Sequence, residues 1–175
     1  MKKIMFNDNY GLTQAVLEGR KTMTRRFAEK VLVEDENCEL RWNGEFKPSR
    51  YKVGEIVAVA QSYKEAGFPP SYIIDELHPN IEYEAGWTNK MFVKASLCLH
   101  QIRITNVRVE RLQDISDEDC LREGIEKDGE VYSFNDYEGF ATARLAFKAL
   151  IDNTSGKGTW AKNPYVFVYA FTLVK

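Results

Sequence analysis

Two periodicities divide this chain. On a helical repeat, Leu12, Ala15 and Val16 share one face of Asn9 to Glu18. Phe140, Ala143, Phe147, Leu150 and Ile151 form one stripe of Asp136 to Thr154. Residues three and four apart are neighbours on a helix surface, so both stretches predict amphipathic helices. Between them, Ser116-Asp117-Glu118-Asp119 has the spacing of a capping box and predicts a short helix through Arg122, closed at Gly124. Gly19 closes the first helix, because glycine enters the left-handed region without a Cβ clash.

Elsewhere the pattern is that of strands. Lys2 to Asn7 predicts a short one, and the apolar run Ile56 to Ala60 suits a strand covered on both faces. Met91 to His100 and Gln101 to Arg111 predict two more. In the second, Ile102 and Ile104 share one phase and Val107 and Val109 the other, so a bulge or sharp bend is expected at Asn106. Tyr165 to Val174 is apolar on both faces, aromatic on one and small on the other, and predicts a strand central to the sheet. Asn43-Gly44 is the strongest short hairpin signal and predicts a hairpin over Glu39 to Phe46. Two insertions interrupt the pattern, near 28–50 and 62–90. The second carries Pro69-Pro70 with Phe68, Tyr72, Tyr83 and Trp87, the composition of a packed or ligand-covering loop. No repeat or linker divides residues 1–175, so one mixed α/β (α+β) domain is expected.

Composition narrows the partners. With 24 Lys+Arg against 26 Asp+Glu the formal net charge is −2, so no whole-molecule field favours nucleic acid and any such binding needs a local patch. The three cysteines, Cys38, Cys98 and Cys120, have no paired spacing, which points to a reducing, cytoplasmic setting. No apolar run has the length of a membrane span or signal peptide. His78 and His100 make no zinc-type cluster with the cysteines, so neither metal nor cofactor is expected.

The densest candidate patch is Gly19-Arg20-Lys21-Thr22-Met23-Thr24-Arg25-Arg26, with four cations and two hydroxyls in eight residues. On an extended chain Lys21, Met23 and Arg25 alternate with Thr22, Thr24 and Arg26. Such a strand can bring an ammonium, a hydroxyl and a guanidinium to the mouth of a cleft for an anionic or polar ligand. The competing reading is a solvated basic edge strand, since Lys and Arg protect sheet edges from pairing. Strict alternation also sets Lys21 and Thr24 on opposite faces, so their convergence requires a bend after Gly19. Gly156-Lys157-Gly158-Thr159 lacks the glycine spacing of a phosphate loop and reads as a basic connector.

Three segments in this order carry a resemblance: Gly19 to Arg26, Tyr51-Lys52-Val53-Gly54-Glu55-Ile56-Val57, and Ile115 to Ile125. Together they resemble the ASCH family, part of the PUA-like group of RNA-associated β-barrels. The ending Trp160 to Val168 is similar to larger, phage-associated members. The resemblance implies a PUA-like, partly open β-barrel flanked by helices. One branch of the family comprises small bacterial amidohydrolases that deacetylate N4-acetylcytidine. By that resemblance Lys21 is the base, Thr24 the nucleophile and Glu123 the proton donor. Gln61 stands where many larger members carry a glutamate.

Three uses of such a cleft follow. It could bind RNA, or a nucleoside or nucleotide, through Arg20, Arg25 and Arg26 with Trp160 stacking on a base. It could deacylate N4-acetylcytidine or a related nucleoside. It could serve a phage-derived accessory protein.

Overall fold

In the computed structural model the residues described are 1–66, 85–134 and 139–174. Among them are nine strands and four α-helices in a mixed α+β arrangement. The main sheet joins β1 (Lys3–Ile4), β5 (Ile56–Val59), β6 (Gln101–Arg111), β9 (Tyr165–Leu173) and β2 (Met23–Phe27), in the order β1-β5-β6-β9-β2. Only β1 and β5 run parallel.

β9 lies between β6 and β2, as its two apolar faces require, with Val166, Val168, Tyr169, Ala170 and Phe171 buried. The register of β6 against β9 shifts between Ile104 and Asn106, where the apolar phase changes. The added residue increases the local bend. The sheet curls enough to bring its two edges together, for Arg26 on β2 donates to the carbonyl of Met5, just after β1, at 2.6 Å.

Helix α1 (Leu12–Leu17) buries Leu12, Thr13, Ala15 and Val16. Helix α2 (Asp117–Arg122) opens at Ser116, whose hydroxyl accepts from the Asp119 N–H. Helix α3 (Ala143–Ser155) is capped by Thr142 and buries Ala143, Ala146, Phe147 and Leu150 in the main core. Its expected start at Asp136 lies outside the described residues, and the expectation is corrected at Phe140, which bridges to Tyr132 ahead of the helix and so is not on its stripe. Helix α4 (Thr159–Lys162) follows the expected basic connector, which turns at Lys157 and Gly158. None of these helices is long and apolar enough to cross a membrane.

Two expectations are corrected. The first insertion is a hairpin of β3 (Lys30–Glu34) and β4 (Leu40–Phe46), turning at Asp35–Glu39 rather than at Asn43-Gly44. Asp35 wins because its carboxylate accepts from the N–H groups of both Asn37 and Glu39. Asn43-Gly44 instead forms an irregularity within β4, with Gly44 at φ 92°. The hairpin docks through Trp42 and Phe46 onto Tyr165.

The second correction concerns Met91 to His100, which forms two 3₁₀ turns, Lys90–Phe92 and Ala95–Leu97, in place of a strand. The Lys3 ammonium donates to the carbonyls of Lys90, Met91 and Val93, so acceptors a ladder would use are taken by a side chain. Val93 and Cys98 then bury in a small satellite core with Ala58 and Tyr63, against which Trp87 packs. Phe68, Pro69, Pro70, Tyr72 and Tyr83 lie outside the described residues. A last small hairpin pairs β7 (Glu126–Asp128) with β8 (Val131–Ser133).

Candidate functional site

The chain leaves α1 through Gly19 at φ 75°, and the next residues are stitched to two elements before β2 begins. The Lys21 N–H donates to Ala15 O at 2.9 Å, and the Thr22 N–H to Arg122 O at 2.9 Å. Lys21 therefore stands ahead of the strand and outside its alternation. This is the bend that convergence with Thr24 required. Gly124, at φ 104°, follows α2 and lies against the lysine stem: a Cβ there would sit 3.6 Å from Lys21 Cδ and 3.2 Å from Leu12 Cδ2.

The result is a buried charge cluster. Lys21 is 2% exposed and Glu123 4% exposed. The Lys21 ammonium donates to Glu123 Oε2 at 2.6 Å and to the Glu123 carbonyl at 2.7 Å. Arg25 reaches the other carboxylate oxygen at 3.0 Å, and also Glu110 at 2.5 Å and Asp119 at 3.1 Å. Arg108 pairs with both Glu110 and Asp119 from outside. Burial pushes the Lys21 pKa below its ordinary value. Attraction to Glu123 opposes that shift, and the charges of Arg26 and Arg25 reinforce it. Arg25 is different: burial works against its charge, but Glu123 and Glu110 outweigh it and raise its pKa.

Lys21, Thr24, Arg25, Arg26 and Glu123 line one cleft of about 770 Å³. Its walls come from Met5 to Asn9 after β1, from Asn89 to Met91, and from Phe147, Leu150 and Ile151 of α3. Lys90 ties the first two walls together, pairing with Asp8 at 2.5 Å and bonding the Phe6 carbonyl and the Thr13 hydroxyl. Thr24 is buried, yet its hydroxyl makes no hydrogen bond to the protein among the described residues. It is therefore open to a guest. Lys21 and Thr24 share the cleft without a hydrogen bond between them.

The other sequence candidates separate. Arg20 lies outside this cleft, paired on the surface with Glu18 at 2.6 Å and Glu126 at 2.7 Å. Trp160 also lies outside it: the ring packs against Phe147 and under the Arg144 guanidinium. Arg26 is exposed and borders the cleft. The basic run does form an edge strand, but Lys21 and Arg25 are not the solvated charges that reading supposes. Gln61 is buried just after β5, and its side-chain oxygen has no hydrogen-bond partner among the described residues.

Glu110, Asp119 and Lys90 escaped the sequence reading. Asp119 was absorbed into the capping box, and nothing local distinguishes Glu110 from any outward residue of a strand. Among the described residues no group of three or more His, Cys, Asp or Glu is arranged to hold a metal ion.

Comparison of the chain with protein-family profiles, with curated proteins and with solved structures gives no match.

Proposed function

We propose that this chain is an ASCH-type domain on a PUA-like, partly open barrel. In this reading the cleft binds a nucleoside and hydrolyses an acyl amide on its base, with N4-acetylcytidine as the reference substrate. The curl that joins Arg26 to Met5 supports the barrel. One observation carries the chemistry: a lysine and a glutamate buried 2.6 Å apart share a cleft with an unengaged threonine hydroxyl. An RNA strand lying along residues 20–26 fits less well, because carboxylates already compensate Arg20 and Arg25.

The lowered Lys21 pKa eases transfer of its proton to Glu123, leaving a neutral amine and a carboxylic acid. The amine takes the Thr24 proton as the hydroxyl oxygen attacks the acyl carbon. As the C–N bond breaks, its electron pair stays on the exocyclic nitrogen, which receives the Glu123 proton. Water then attacks the acyl-threonine ester and gives a proton to Glu123. Lys21 returns a proton to the threonine oxygen, and the free acid leaves. Arg25 holds one Glu123 oxygen at 3.0 Å, so the other stays toward the lysine.

The test is turnover of N4-acetylcytidine to cytidine and acetate, followed chromatographically. Thr24→Val should lower the rate by at least about 100-fold. Because that hydroxyl has no hydrogen-bond partner among the described residues, stability should change by less than about 1 kcal/mol. Absence of product across N4-acylated cytidines, or a Thr24→Val enzyme of undiminished rate, defeats the reading.

A further inference from the structure

Arg26 and Met5 also line a second hollow, of about 450 Å³, whose wall includes Phe27, Arg50, Tyr51, Phe167 and Tyr169. Most charges beside it are already matched. Lys47 pairs with Glu29 at 2.6 Å, and the Lys3 ammonium is occupied by three carbonyls. Arg26 and Arg50 differ: among the described residues neither has a carboxylate partner. The Arg26 guanidinium has the Met5 carbonyl and lies 5.9 Å from the Phe6 ring centroid. That of Arg50 lies 5.5 Å from the Tyr51 ring centroid.

The two are near enough for their like charges to repel. Glu123, across the cleft wall, offsets part of that repulsion at Arg26 but forms no ion pair with it. Two guanidiniums that share a hollow and have no paired carboxylate there are an arrangement that a bound anion relieves. Their planar, forked donors match phosphate oxygens. Phe27, half exposed at 52%, adds a flat apolar surface to the same wall. Tyr51 and Tyr169 direct their hydroxyls to and from backbone groups, so the aromatic wall is held in place.

We propose that this hollow is a phosphate subsite, and that the adjoining cleft takes a nucleoside carrying a phosphate, its base in the cleft and its phosphate between Arg26 and Arg50. The inference rests on the nucleoside reading of the cleft and names the form of its ligand. Arg26, common to both hollows, spans the junction between sugar and phosphate.

Isothermal titration of the full chain with cytidine and with cytidine 5′-monophosphate tests it, using the wild type and Arg50→Ala. The monophosphate should bind at least about tenfold more tightly, the worth of one charge-assisted hydrogen bond. In Arg50→Ala that advantage should vanish while cytidine affinity stays within about twofold. Arg50 is exposed and outside the Lys21 cluster, so its removal leaves the fold intact. A hexacytidylate arm separates the sources of phosphate. Tighter binding than the monophosphate, with a steep loss on raising salt, assigns a strand, and equal binding assigns a free nucleotide. Equal affinity for cytidine and its monophosphate overturns the subsite and leaves the nucleoside cleft standing. An advantage that survives Arg50→Ala overturns its location. Binding of neither probe overturns the subsite and the nucleoside reading together.

Discussion

Replacing Glu123 by alanine removes the carboxylate that two buried cations share. Arg25 keeps Glu110 and Asp119, so its charge remains compensated. Lys21 does not: it is 2% exposed in the native chain, and of its two acceptors only the Glu123 carbonyl remains. A buried charge stripped of its partner costs about 3–5 kcal/mol. Deprotonation limits the loss, since discharging a lysine of ordinary pKa 10.5 at pH 7 takes about 5 kcal/mol at most.

The sign of the pH dependence follows. Unfolded Lys21 holds its proton up to its ordinary pKa, whereas the folded variant, lacking Glu123, releases it well below. The unfolded state then binds more protons, and variant stability rises with pH by up to about 1.4 kcal/mol per unit. Wild-type Lys21 is also lowered, but Glu123 holds it closer to the ordinary value, so its rise begins at higher pH. The deficit of the variant is therefore largest near neutrality and shrinks toward pH 10.

Urea unfolding followed by tryptophan fluorescence at pH 7, 8, 9 and 9.5 measures it. Glu123→Ala with Lys21→Met should recover most of the loss, because the double variant buries no orphaned ammonium. A pH 7 deficit below about 1 kcal/mol, or one constant across this range, refutes the electrostatic reasoning.

Two further perturbations test how the cluster is assembled. Gly124→Ala puts a Cβ on a residue at φ 104° and 3.2 Å from Leu12. It should cost at least about 1 kcal/mol in urea unfolding, and an unchanged midpoint would show that the lysine stem is not pressed from this side. Cys120 is fully buried, and burial pushes its thiol up to about 12, while Cys38 is exposed in the hairpin turn. A disulfide reagent at pH 8 should therefore label Cys38 rapidly and Cys120 only on unfolding. Fast native labelling of Cys120 would contradict the packing of α2.

What the amino-acid order determined is local and periodic. The apolar stripe from Ala143 onward that became α3, the capping box of α2, the phase change at Asn106 and the two-faced apolar run of β9 each depend on residues a few positions apart. Their backbone preferences act over that range. Where two local signals competed, Asp35 outbid Asn43-Gly44 by satisfying two N–H groups at once. The strand expected over Met91 to His100 failed for a distant cause, the ammonium of Lys3 capturing its carbonyls. The charge state of the basic run was likewise a tertiary decision. Lys21 meets Glu123 across 102 positions, and Arg25 meets Glu110 across 85. Sequence shows which residues carry charge, but compensation depends on which ones folding places within 3 Å of each other. Only there does a basic stretch divide into a neutralised buried cluster and two guanidiniums left facing an open hollow.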